Sequence, residues 1–132
     1  MINAIKERIK AAKKEIPADF VLKNAKIVNV FSGTIQEKDV AVHNGVIVGA
    51  GRDYHGIIET DLKGKVVVPG FIDGHLHIES SMLTPSNLAA ALLLHGTTTV
   101  VADPHEIANV MGLEGIRFML RDSTSIPLDF FF

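Results

Sequence analysis

The chain has 132 residues, 47% of them hydrophobic, and 13 Lys+Arg against 15 Asp+Glu give a net charge of −2 at pH 7. That balance argues against a nucleic-acid or acidic-membrane partner, and the lack of cysteine excludes a disulfide framework and any thiolate metal site. The longest apolar run, residues 88–94, is too short to cross a bilayer, and the N-terminus, with Lys6, Glu7, Arg8 and Lys10, has no signal-peptide core, so a cytoplasmic protein is expected.

Residues 2–16 place Ile2, Ile5, Ile9, Ala12 and Ile16 at helical spacing between Lys and Glu, which predicts an amphipathic helix stopped by Pro17. Residues 20–30 and 40–50 read as strands, the second divided by Asn44-Gly45, a pair that tolerates the positive φ of a type I′ hairpin turn. His43 beside the turn reads as a hairpin residue, and His55, in the 51–56 loop, has no evident partner. Residues 57–62 and 65–68 complete what reads as a small antiparallel module.

At Pro69-Gly70 the pattern changes to alternating buried strand and helix, the mark of βα units. The first strand is predicted over 71–77. Thr84 as N-cap and Pro85 at the first helical position open a helix through Leu88, Ala91, Leu92 and Leu94, closed by His95-Gly96. A second strand spans 98–102. Helical periodicity returns through Ile107, Val110, Met111, Leu113, Ile116 and Leu120, with Gly112 expected to break or bend it, and 127–132 begins a third strand. The chain thus divides into residues 1–69 and 70–132. The second part holds two βα units and a strand at about 30 residues each, whereas a closed barrel needs eight units in about 250 residues. The barrel is expected to be truncated here.

The chemistry is expected at His75-Leu76-His77. Side chains on a strand alternate, so His75 and His77 point the same way and can converge on one metal ion at the carboxyl end of a buried strand, and Asp73 shares their parity. Glu79, just beyond, is a candidate outer-shell acceptor or substrate contact. Asp103-Pro104-His105-Glu106 follows the second strand on the same barrel face. Asp103 as N-cap and Glu106 three residues on also satisfy a capping box, which is compatible with His105 or Glu106 facing a pocket.

The segment from Pro69 to His77 resembles the first-strand signature of the amidohydrolase superfamily. Residues 77–85 (HIESSMLTP) and 95–110 (HGTTTVVADPHEIANV) resemble, more specifically, the bacterial and archaeal adenine deaminases of that superfamily, and the likeness reaches back to Ala18-Asp19 and residues 21–30. The resemblance implies an α/β fold: a small β-sandwich domain before a metal-dependent (β/α)8 barrel, of which this chain is the N-terminal portion. It implies conversion of adenine and water to hypoxanthine and ammonia in purine salvage, by a hydroxide made on Mn2+ or Fe2+, with His75 and His77 among the ligands. Asp73, Glu79, Asp103, His105 and Glu106 remain candidates for outer-shell or substrate contacts, and the main proton-transferring carboxylate is expected beyond Phe132. The implied partners are adenine, as substrate of the full enzyme, and further copies in a homo-oligomer, with no nucleic acid and no membrane. Two other readings stand beside this one: a non-catalytic truncated remnant, and another amidohydrolase acting on a cyclic amide, against which residues 79–85 and 103–110 argue.

Overall fold

The computed structural model describes residues 2–132, and the chain divides between Pro69 and Gly70 into two compact units. The first opens with helix α1 (Ile2–Ala12) and continues as strands β1 (Ala18–Asn29), β2 (Thr34–His43), β3 (Val46–Gly51), β4 (Gly56–Asp61) and β5 (Val66–Val67). They form one five-stranded sheet, ordered β3-β2-β1-β4 with β5 also on β1. Asn44 and Gly45 turn the β2–β3 hairpin with φ of +50° and +69°, both left-handed as a type I′ turn requires. The expected antiparallel module needs correction, because β4 and β5 pair with β1 in parallel. After β3 the chain does not fold back. It crosses the sheet with Tyr54 buried against Ala18, Val21 and Ala41, and the Ala18 amide donates to the His55 carbonyl. Alternation in a strand is the same in either pairing direction, so the sequence carries no sign of this crossover.

Helix α1 is also shorter than expected. The amides of Lys14 and Glu15 donate to the carbonyls of Ala11 and Lys10, with Lys14 left-handed at φ +63°, a Schellman end built without glycine and therefore not evident in the sequence. Its apolar stripe is not buried within the unit: Ile2, Ile5 and Ile9 are 72%, 49% and 53% exposed. The helix docks instead through polar groups. Arg8 Nη2 donates to the Asn44 carbonyl at 2.7 Å, Asn44 Nδ2 to Glu7 Oε2 at 3.2 Å, and the Tyr54 hydroxyl to the Ala12 carbonyl at 3.1 Å. His43, at the end of β2, lies with Nδ1 2.9 Å from Asp19 Oδ1, and His55 lies against Glu59 at the surface.

The second unit runs β6 (Phe71–Leu76), a single 3-10 turn (Glu79–Ser81), α2 (Pro85–Leu94), β7 (Thr97–Ala102), α3 (His105–Asp122) and β8 (Asp129–Phe131). The three strands form a parallel sheet in the order β6-β7-β8, each connection carrying a helix, as parallel pairing demands. Val100 and Ala102 of β7 pack under the helices with Ile78, Leu88, Ala89, Met119 and Leu128, all buried. Away from that core the sheet is poorly covered, with Phe71 60% and Ile72 69% exposed at the start of β6. Phe130 of β8 is partly buried against the core, whereas Phe131 and Phe132 are exposed.

Gly112 divides α3, as its place in the periodicity suggested. Its φ of +59° and ψ of −145° lie in a region only glycine enters without strain. Beyond the break the helix closes on its own first turn, so that a Cβ at Gly115 would come within 2.7 Å of Ile107 Cγ1. Gly112→Ala should therefore destabilise the protein by about 1–3 kcal/mol, read as a lowered denaturant midpoint. An unchanged midpoint would show that the break is not imposed by the fold.

Candidate metal centre

Parallel pairing puts the carboxyl ends of β6 and β7 side by side, and the Asp103 amide donates to the Leu76 carbonyl at 3.2 Å to hold them there. The register slips between Asp73 and Leu76, so β6 ends irregularly where its histidines lie. His75 is in the strand and His77 one residue past it, with both rings on one side. Their Nε2 atoms are 3.0 Å apart and the rings meet edge to face at 4.7 Å. His77 Nδ1 lies 3.1 Å from the Asp103 carbonyl. A carbonyl only accepts, so His77 donates from Nδ1 there, and Nε2 is the ring nitrogen it turns toward His75.

A second imidazole stands against the first. His105 packs edge to face on His77 at 4.8 Å, and its Nδ1 lies 3.1 Å from Asp103 Oδ2. Candidate ligand atoms of His77, Asp103 and His105 all lie within 4.8 Å of one another. The donor set fits a divalent cation of intermediate softness: imidazole nitrogens, one with its Nδ1 held from behind, beside a carboxylate. These groups are open to solvent in this chain, with His105 and Asp103 side chains 53% and 56% exposed.

The remaining candidates divide. Asp73 does not join the cluster; its Oδ1 accepts from the His75 amide at 3.1 Å, a local bond that shapes the strand end. The capping box needs correction. The N-cap position of α3 is Pro104, which offers no side chain to cap with, and Asp103 makes no cap bond because its carboxylate is on His105. Glu79 substitutes for it: Oε1 accepts from the Ile107 amide at 3.0 Å. Glu106 accepts from Ser80 Oγ at 3.1 Å. The partners in these contacts are 26 and 28 residues apart, a separation that leaves no local signature in the sequence. Helix α2 is treated alike, with Thr84 at its N-cap position making no cap bond and the Ser86 amide held by Asp122 Oδ2 at 2.9 Å. That bond holds the Asp122 carboxyl below its usual range.

An open cleft of about 670 Å3 lies elsewhere, in the first unit. Its cations and carboxylates are nearly balanced and partly paired. Lys23 Nζ is 2.7 Å from Asp39 Oδ2, and although burial raises the Asp39 carboxyl, Lys23 and the Asn24 amide hold it below its usual value. Nothing there matches the converging imidazoles of the second unit.

The profile of the amidohydrolase family matches residues 66–132, half of the chain and the whole of this site. The chain belongs to the amidohydrolase family. Curated relatives extend the likeness through both units. The adenine deaminase of Methanoregula boonei is 54% identical over 121 residues, covering 92% of this chain and 22% of the relative. That of Geobacillus kaustophilus is 53% identical over 129 residues, covering 98% and 22%. The chain thus spans about a fifth of the length of the relatives it matches. Among solved structures, L-hydantoinase from Arthrobacter aurescens aligns with a TM-score of 0.52 and 30% identity over 66% of this chain and 21% of its own. N-acyl-D-glutamate deacylase from Bordetella bronchiseptica, complexed with zinc and a phosphonate inhibitor, gives 0.51 and 25% over 66% and 19%. No described helix of this amidohydrolase chain is long and apolar enough to cross a membrane.

Proposed function

We propose that this chain supplies the first part of a metal-dependent adenine deaminase, which converts adenine and water to hypoxanthine and ammonia. The observation that carries the reading is the 54% identity to the Methanoregula boonei adenine deaminase, because it covers 92% of the chain, well beyond the residues that mark the wider family. In this reading the two units begin a small β-sandwich domain and a (β/α)8 barrel, and the rest of both lies outside these residues.

His75 and His77 would hold Mn2+ or Fe2+ through their facing Nε2 atoms. Bound there, a divalent cation supplies Lewis acidity that makes water a nucleophile near neutral pH. The chain's own residues prepare the ground. The Asp103 carbonyl keeps the proton of His77 on Nδ1, away from the ligand position. The Asp103 carboxylate orients His105 through Nδ1 and leaves the His105 Nε2 edge free to hold or pass a proton beside the purine. Asp73, Glu79 and Glu106 stay one contact further out, and the main acid/base carboxylate comes from outside these 132 residues.

The test is the complete gene product, stripped with a chelator, reloaded with Mn2+ or Fe2+, and offered adenine or dihydrouracil in parallel. Hypoxanthine formation that returns with metal and is lost in His75→Ala is expected. Opening of the cyclic amide with adenine untouched would overturn the assignment.

A further inference from the structure

Two contacts at the start of α3 are hard to explain as helix capping alone. The helix begins with no cap from its own neighbours, since Pro104 occupies the N-cap position. The missing acceptor arrives from the preceding βα loop as Glu79 Oε1, on the Ile107 amide at 3.0 Å. The adjoining Ser80 hydroxyl donates to Glu106 in the same first turn at 3.1 Å. The other Glu79 oxygen, Oε2, is buried and has no partner among the described residues. A carboxylate half-satisfied in this way is costly, and a neutral acceptor would close the helix at less expense.

The exchange of partners has a consequence at the imidazoles. An Asp before a helix normally turns its carboxylate onto the helix amides. Here Glu79 takes that role, so Asp103 Oδ2 is free to bind His105 Nδ1 at 3.1 Å. Ile107, whose amide Glu79 holds, is also the residue onto which Gly115 closes, so the first turn is held from two sides. His105 leads that turn.

We propose that Glu79 is a positioning residue. Its carboxylate, with Ser80, clasps the first turn of α3, releases Asp103 from capping, and thereby sets the His105 imidazole against His77. The proposal rests on the deaminase reading for its kinetic consequence, but the clasp itself can be tested without it.

Hydrogen exchange on the complete gene product tests the clasp directly. Glu79→Ala should speed exchange of the Ile107 amide by about tenfold or more, as expected for a first turn that opens locally. Glu79→Gln keeps an acceptor on the amide and should restore most of the protection. Kinetics test the positioning. Glu79→Ala should lower kcat about 10–100-fold, the usual cost of losing an outer partner, with KM for adenine within about twofold and bound manganese per chain unchanged. Glu79→Gln should recover most of kcat.

Unchanged exchange in Glu79→Ala would overturn the clasp whether or not adenine is a substrate. Faster exchange with full kcat would leave Glu79 a structural cap and overturn its positioning role. Glu79→Gln as impaired as Glu79→Ala, or loss of manganese in both, would make Glu79 a direct participant instead. Should Glu79→Ala fail to fold, Ser80→Ala carries the same comparison, with a smaller fall in kcat expected and an unchanged kcat overturning the proposal. If the wild-type protein leaves adenine untouched, the deaminase reading fails and the exchange result still decides the clasp.

Discussion

Purified as 132 residues and supplied with adenine and Mn2+ or Fe2+, this chain should release no ammonia above a metal-only blank. The reason is an incomplete catalytic set. The imidazoles and the Asp103 carboxylate gathered here are open to solvent, with Asp103 and His105 bonded to each other, and in the deaminase reading the acid/base carboxylate that must protonate the leaving ammonia is not among these residues. The flanking groups are also half exposed, so water would compete for the cation and for the substrate. Removing several members of a catalytic set usually costs many decades in rate. Ammonia release that exceeds the blank and disappears in His75→Ala would show that the chain completes a working site unaided.

The same 132 residues should associate or aggregate as concentration rises. In the second unit both outer strands, β6 and β8, have one unpaired edge among the described residues. On the sheet strands Phe71, Ile72 and Val101 are 60%, 69% and 42% exposed, with Phe131 at 58% on the edge strand. Parallel strands are usually covered on both faces, and an unpaired apolar edge is a template for another chain. Helix α3 adds Val110 and Leu113, 81% and 68% exposed. A net charge of −2 provides little repulsion. Light scattering during size-exclusion chromatography over a concentration series measures this, and a sharp monomer at every concentration with cooperative melting would contradict it.

Local chemistry was legible in the sequence and long-range exchange was not. Asn44-Gly45, Thr84-Pro85, Gly96 and Gly112 mark their turns, starts and breaks because each depends on one residue's backbone preferences. Period-two spacing put the His75 and His77 rings on one side, since that follows from strand geometry alone. What escaped were features set by partners far along the chain: the parallel pairing of β4 with β1, and the Glu79 bond that takes the place of the Asp103 cap. The Asp103 capping box satisfied every local rule and still yielded to an acceptor from the neighbouring loop. The Lys14 helix end shows the converse, a left-handed residue with none of the usual composition.

The Ser86 amide at the start of α2 waits for a carboxylate 36 residues downstream. On a ribosome that emits some 5–20 residues per second, α2 would leave the tunnel seconds before Asp122 does, its first turn still frayed. Helix α3 faces no such delay, because Glu79 precedes it. The order of emergence therefore favours a nascent unit in which the later helix acquires its start first and the earlier one is completed from behind. A pause or truncation between Ser86 and Asp122 would leave α2 without its closing contact, in a form suited to capture by chaperones.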